Sequence, residues 1–172
     1  MAKFLLVLAF IPFLAFAGPK VGQKMSKVVL DGDKGGKIAG GAWDSDKEIG
    51  GVLTLVFYVD PDEKDVNEPL SAAIKKRNFD KDKMKSFGFV NMAATWLPNV
   101  IITEIIKGKQ KKYKETTMVR DVERSIVNAW GFQDDSSVVA IFGKDQKLLY
   151  YKAGPHSEQE IKNVLSLIEK NL

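Results

Sequence analysis

The amino-acid sequence predicts an α/β chain of three layers, with a mixed central sheet and an additional N-terminal β-hairpin. Three patterns carry that prediction. Val52–Val59 (VLTLVFYV) is a continuous apolar, β-branched and aromatic run, as expected of a strand covered on both faces. Strand and helix patterns then alternate as far as Val122, which calls for parallel strands joined by crossover helices. Two further strand patterns around a short turn, followed by an amphipathic helix, close the chain with an antiparallel edge.

Taken in order, Lys27–Leu30 and Lys37–Ala39 read as short strands flanking the turn-rich Asp31-Gly32-Asp33-Lys34-Gly35-Gly36, which suits a hairpin. The strand at Val52–Val59 stops at Asp60-Pro61-Asp62. Glu68–Arg77 reads as a helix, with Pro69 in its first turn and Leu70, Ala73 and Ile74 at helical spacing. Ser86–Ala93 is the second strand of the alternation. Val100–Tyr113 follows as a helix begun near Pro98-Asn99, with Ile101, Ile105 and Ile106 as its apolar face. The lysines of that segment (Lys107, Lys109, Lys111, Lys112, Lys114) suit a solvated helix end, where the macrodipole favours cations. Thr116–Val122 is a third strand and Glu123–Trp130 a short helix. Val138–Phe142 and Leu148–Tyr151 pair across Gly143-Lys144-Asp145-Gln146. Ser157 with Glu160 three residues on forms a capping box, and Ile161, Val164, Leu165 and Ile168 make one apolar stripe behind it. No repeat or linker divides residues 18–172, which are read as a single domain.

The 172 residues include no cysteine and one histidine, His156, with 45% hydrophobic residues, 28% charged residues and a formal net charge of +4. That is the composition of a globular chain able to bury its own core. Zero cysteine removes disulfide frameworks, thiolate metal sites, cysteine nucleophiles and dithiol redox centres. Residues 1–17 read as a secretory signal peptide. Lys3 precedes the apolar run Phe4–Phe16, and Ala15 and Ala17 supply the small residues of a cleavage site before Gly18. The run is shorter than the ~20 residues that span a bilayer, and Pro12 interrupts it, so a cleaved leader fits better than an anchor. Export leaves nucleic acid an unexpected partner, and contact with membrane is expected only in transit.

The order of elements is that of a thioredoxin-like fold carrying an extra N-terminal hairpin. The stretch from Ser137 through Ile161 resembles the C-terminal half of exported thioredoxin-fold proteins. In both, a strand, a Lys-Asp turn, a second strand and a Gly-Pro-x-Ser helix start follow one another. Within that group the chain resembles the YtfJ family of bacterial periplasmic proteins. The residues that carry this are Val21-Gly22-Gln23 and Val29-Leu30-Asp31 near the start, then Trp130, Asp134-Asp135-Ser136-Ser137-Val138-Val139, Lys144-Asp145 and Gly154. The resemblance implies a fold and a periplasmic location, and it brings no assigned activity.

In redox-active members of the fold, a Cys-x-x-Cys opens the helix after the first central strand and a cis-proline faces it. Here that loop is Asp60-Pro61-Asp62-Glu63-Lys64-Asp65, so Asp62 and Asp65 stand at degenerate redox positions. The proline position falls at Ser136 or Ser137. Dithiol–disulfide exchange is therefore excluded chemically. Asp60, Asp62, Asp65, Asp134 and Asp135 fall in two loops at the carboxyl ends of strands, where open α/β sheets bind ligands. Clustered carboxylates suit a hard cation, and the same residues also suit helix caps and turns. Asp31-x-Asp33 matches half of a calcium loop but lacks the distal glutamate. His156, in a Gly-Pro-His-Ser turn, is expected at the surface. Trp43 and Trp96, in loops, are surface candidates, and Trp130 is a core residue. The sequence calls for no cofactor. The leading expectation is a non-catalytic periplasmic binding or adaptor domain, with an unidentified periplasmic protein or small ligand as partner. The alternative is an enzyme or cation-binding protein that uses the acidic cluster.

Overall fold

The computed structural model describes residues 18–172; the signal peptide assigned to residues 1–17 lies outside them. The chain runs β1 (Val29–Leu30), β2 (Gly35–Lys37), β3 (Trp43–Asp44), α1 (Ser45–Glu48), β4 (Leu53–Val59) and α2 (Glu68–Arg77). It continues as β5 (Met84–Asn91), α3 (Asn99–Lys112), β6 (Thr116–Asp121), α4 (Ser125–Trp130), β7 (Ser137–Phe142), β8 (Leu148–Ala153) and α5 (Glu158–Asn171). Six strands form one mixed sheet in the order β2-β6-β5-β4-β7-β8. The strands β4, β5 and β6 are parallel, as the alternation requires, while β7, β8 and β2 add antiparallel pairings at either side.

Side chains alternate along each strand, so the sheet divides its core between two faces. On one face Leu53, Leu55, Val139 and Ile141 meet Leu70 of α2 and Val164 and Ile168 of α5. Val90 and Met118 on the same face receive Ile102 and Ile106 of α3. On the other face Val56, Tyr58, Phe87, Phe89, Val138 and Phe142 pack under Leu30, Trp43, Ile126 and Trp130. The capping box closes the start of α5 as expected, with Ser157 and Glu160 bonded reciprocally.

Three expectations are corrected. The first two strands do not form a hairpin with each other: β1 pairs with β3, and β2 joins the main sheet beside β6. The reason is Gly35, which lies at φ 129° with its α-carbon against the Arg120 carbonyl; a Cβ there would stand 1.9 Å from that oxygen. The Gly-Gly pair is therefore an edge strand that only glycine can form, not part of a turn. Trp43 is fully buried rather than at the surface. The β1–β3 pair carries it beneath the sheet, where its ring meets Phe89 edge-on at 4.7 Å and lies 6.1 Å from Trp130. Trp130 is buried and Trp96 exposed, as expected.

The third correction concerns α3. Ile102 and Ile106 form its buried face, and Ile101 and Ile105 point outward, each 49% exposed. Gln110 sets that rotation. Its amide donates to the Thr116 carbonyl at 2.9 Å and accepts the Met118 amide at 2.8 Å, so the helix is fastened to β6 along the line through 102, 106 and 110.

Candidate functional site

The two loops singled out from the sequence do meet. Val59 at the end of β4 pairs with Ser137 at the start of β7, and the Asp60 amide donates to the Ser136 carbonyl at 3.2 Å. The helix that follows β4 opens at Asn67, two residues beyond Asp65. An asparagine at this position ordinarily caps its own helix. Here it does not: the side chain turns across the sheet edge, and its amide nitrogen donates to the Ser137 hydroxyl at 3.0 Å and carbonyl at 3.2 Å. Its carbonyl oxygen lies 2.6 Å from Nδ1 of His156. Since the amide nitrogen already faces Ser137, the network assigns the hydrogen to Nδ1, which donates to Asn67.

His156 is thus half-buried rather than exposed. The turn before α5 folds back on the sheet edge because the Gly154 amide donates to the Ser137 carbonyl at 2.9 Å, which brings the next residues over α2. The ring lies 6.0 Å from that of Tyr150, and Nε2 is buried with no hydrogen-bond partner among the described residues. Burial holds the imidazole below its usual range, with Lys152 acting the same way and Glu160 opposing both. Glu160 is itself held down at about 2, first by Lys152, which pairs with it, and then by the Ser157 amide and hydroxyl. The arrangement is a closed chain, from serine through amide to neutral imidazole.

The carboxylates around it have separate tasks. Asp60 is 4% exposed and accepts the Asp62 amide at 2.9 Å. Burial pushes its carboxyl up against the pull of that amide, and the charges of Asp62, Asp135 and Glu63 push in the same direction as burial. Asp62 lies in the short 3-10 turn Pro61–Glu63, exposed, and Asp65 and Asp135 are exposed as well. Asp134 turns away from this group: Arg124 Nη1 holds it at 2.8 Å and the Asn91 amide donates to it at 2.9 Å. Among the described residues no group of three or more His, Asp or Glu side chains is arranged to hold a metal ion. Millimolar calcium is therefore expected to raise the melting temperature no more than sodium chloride of matched ionic strength. A calcium-specific rise that disappears in Asp62→Asn with Asp135→Asn would show the opposite.

Sequence reasoning missed Asn67 and a second buried carboxylate, Asp121. Its oxygens accept the Tyr58 hydroxyl at 3.1 Å and the amides of Ser125 and Ile126 at 2.8 and 2.9 Å, so it ties β4, β6 and the start of α4 together. Burial, and then the Asp121 carboxylate, raise the Tyr58 phenol far above its ordinary range. The signal for Asn67 was present in Asn-Glu-Pro, a helix start with proline near the first turn. Asp121 carried no comparable signal.

A model of a bacterial protein family of unknown function, YtfJ_HI0045, matches residues 21–171. The chain belongs to this family. It is 24% identical over 149 residues to the uncharacterised protein YtfJ of Escherichia coli, covering 85% of this chain and 79% of that one. It is 26% identical over 107 residues to an uncharacterised protein of Haemophilus influenzae, covering 61% of this chain and 58% of that one. Among solved structures it is similar to the exposed lipoprotein thioredoxin Etrx1 of Streptococcus pneumoniae, with a TM-score of 0.62 at 13% identity. That match covers 83% of this chain and 99% of Etrx1. It is also similar to a peroxiredoxin-like protein of Aquifex aeolicus, with a TM-score of 0.59 at 13% identity over 88% and 90% of the two chains. These likenesses establish a thioredoxin-like fold for a YtfJ-family chain that contains no cysteine.

Proposed function

We propose that this YtfJ-family chain is exported to the periplasm and acts there as a non-catalytic binding or adaptor domain on a thioredoxin-like scaffold. One observation carries the reading: the position that opens the helix after β4 holds Asn67, whose amide is committed to Ser137 and His156. In a redox member the thiolate of the loop leading into this helix would need to be free to attack a disulfide, and here that loop, Asp60–Asp65, holds carboxylates, a proline and a lysine. The amide at the helix start is neutral and held on both sides. The one imidazole lends its Nδ1 hydrogen to that amide, and Ser137 is buried. Open to a partner at this edge are the exposed Asp62 and Asp135 carboxylates, whose charges act on the buried Asp60. Export is supported by the leader pattern at residues 1–17.

The test has two arms. Protein from a periplasmic fraction is expected to have the intact mass of a chain beginning at Gly18; a species retaining Lys3 in the membrane pellet would contradict a cleaved leader, and absence from the periplasmic fraction would contradict export. In an insulin-reduction assay with dithiothreitol the rate is expected to equal that without protein, and acceleration would contradict the non-redox reading.

A further inference from the structure

We propose that the outward face of α3, together with Trp96 just before it, docks the fold on an anionic lipid surface. Four of the six large hydrophobic residues exposed among the described residues fall in this one segment: Trp96 at 86%, Val100 at 75%, and Ile101 and Ile105 at 49% each. With Gln110, Ile102 and Ile106 turned to the sheet, helical periodicity places Val100, Ile101, Glu104, Ile105, Lys111 and Lys112 on the opposite side. Glu104, in the middle of that face, is paired with Lys107 at 2.7 Å. Lys111, Lys112 and Lys114 have no ion-pair partner among the described residues, and Lys112 lies over the half-buried Tyr113 ring at 5.1 Å.

The face is therefore graded along its length. Apolar side chains and a tryptophan occupy the first half, and unpaired lysines with a tyrosine occupy the second. A helix taken up in a protein groove carries apolar anchors along its whole length. A helix at a lipid surface instead combines apolar insertion with lysines at the head groups and aromatic rings at the boundary. The grading matches the second pattern, and the unpaired lysines make the surface an anionic one. Because β4 and β5 are parallel, Trp96 leaves β5 at the same sheet edge as Asp60 and Asn67. Docking would hold that edge near the membrane, whatever the edge binds.

The experiment uses residues 18–172, which contain every described element and all of the core, with vesicles of phosphatidylglycerol and phosphatidylethanolamine or of phosphatidylcholine alone. Co-sedimentation is expected with the anionic vesicles only, and it should be lost in about 1 M sodium chloride, where the Debye length is about 3 Å. Trp43 and Trp130 are buried, so a blue shift of emission on binding reports Trp96. Trp96→Phe should lose that shift. Lys111→Gln with Lys112→Gln and Lys114→Gln should lower the partition coefficient on the order of a hundredfold. Ile101→Gln with Ile105→Gln should abolish binding at an unchanged melting temperature, since both side chains are at the surface. No partition into anionic vesicles, equal partition into neutral ones, or bound protein without a blue shift would overturn the proposal. So would self-association in sedimentation velocity that the isoleucine pair abolishes, which would assign the face to a second copy of the chain.

Discussion

Asp121→Ala is expected to destabilise the fold by about 3–5 kcal/mol, the range for removing one partner of a buried charged network. Asp121 is fully buried and is the acceptor for three donors: the Tyr58 hydroxyl and the amides of Ser125 and Ile126. Truncation leaves all three in the interior without a partner, at a position where β4, β6 and α4 converge. For a domain of this size the loss corresponds to a fall in melting temperature of roughly 10 °C, at about 2–4 °C per kcal/mol. Asp121→Asn keeps one oxygen acceptor and should lose less than half as much. Urea unfolding of the two variants against the parent decides this. A loss below about 1 kcal/mol for the alanine variant would mean that water replaces the carboxylate and that the junction is open.

Asn67→Ala is expected to cost about 2–3 kcal/mol, by leaving buried donors and acceptors of Ser137 and His156 unmatched. Asn67→Asp tests the same contact in another way, because it places a carboxylate at 2.6 Å from Nδ1. An opposite charge favours the imidazolium, so the protonation midpoint of His156 should rise relative to the parent. In the parent the folded-state midpoint is depressed, chiefly by burial. The unfolded chain therefore binds more protons than the folded one as pH falls below the unfolded value of about 6.5. The contribution of His156 is present above that pH and is lost as pH falls toward the folded midpoint. Glu160, held at about 2, remains ionised throughout that window. Asn67→Asp should flatten this loss. Both effects are read from melting temperature between mildly acid and neutral pH, and identical profiles for parent and Asn67→Asp would contradict the contact.

What the sequence made legible followed from how local each signal is. The β4 run, the α2 limits at Glu68 and Arg77 and the capping box of α5 are all stated by neighbouring residues, and the structure has them. The thioredoxin-like order followed from alternation alone. What failed depended on distant partners. Gly35-Gly36 has turn composition, but its role is set by the Arg120 carbonyl across the sheet. The rotation of α3 is set by the bonds of Gln110 to Thr116 and Met118 of β6, and the four isoleucines Ile101, Ile102, Ile105 and Ile106 are equally apolar in sequence. Trp43 was placed by strand pairing rather than by its loop-like neighbours. At the candidate site, the meeting of the 60–65 and 134–137 segments was readable from topology. Asn67 and His156 stand 89 positions apart, and no spacing rule links them.

At the start of α2 the Asn67 amide joins the buried Ser137 to the His156 ring. The chain contains one histidine, so its imidazole nitrogens give a single unambiguous set of resonances in a long-range nitrogen–proton correlation spectrum. At pH 7 the structure requires a neutral ring with the hydrogen on Nδ1 and Nε2 unprotonated, persisting on acidification to a midpoint below the usual 6.5 or so. A neutral ring protonated on Nε2 alone would show that Asn67 and His156 are not joined, and an imidazolium forming at or above that usual midpoint would show that the ring is not buried.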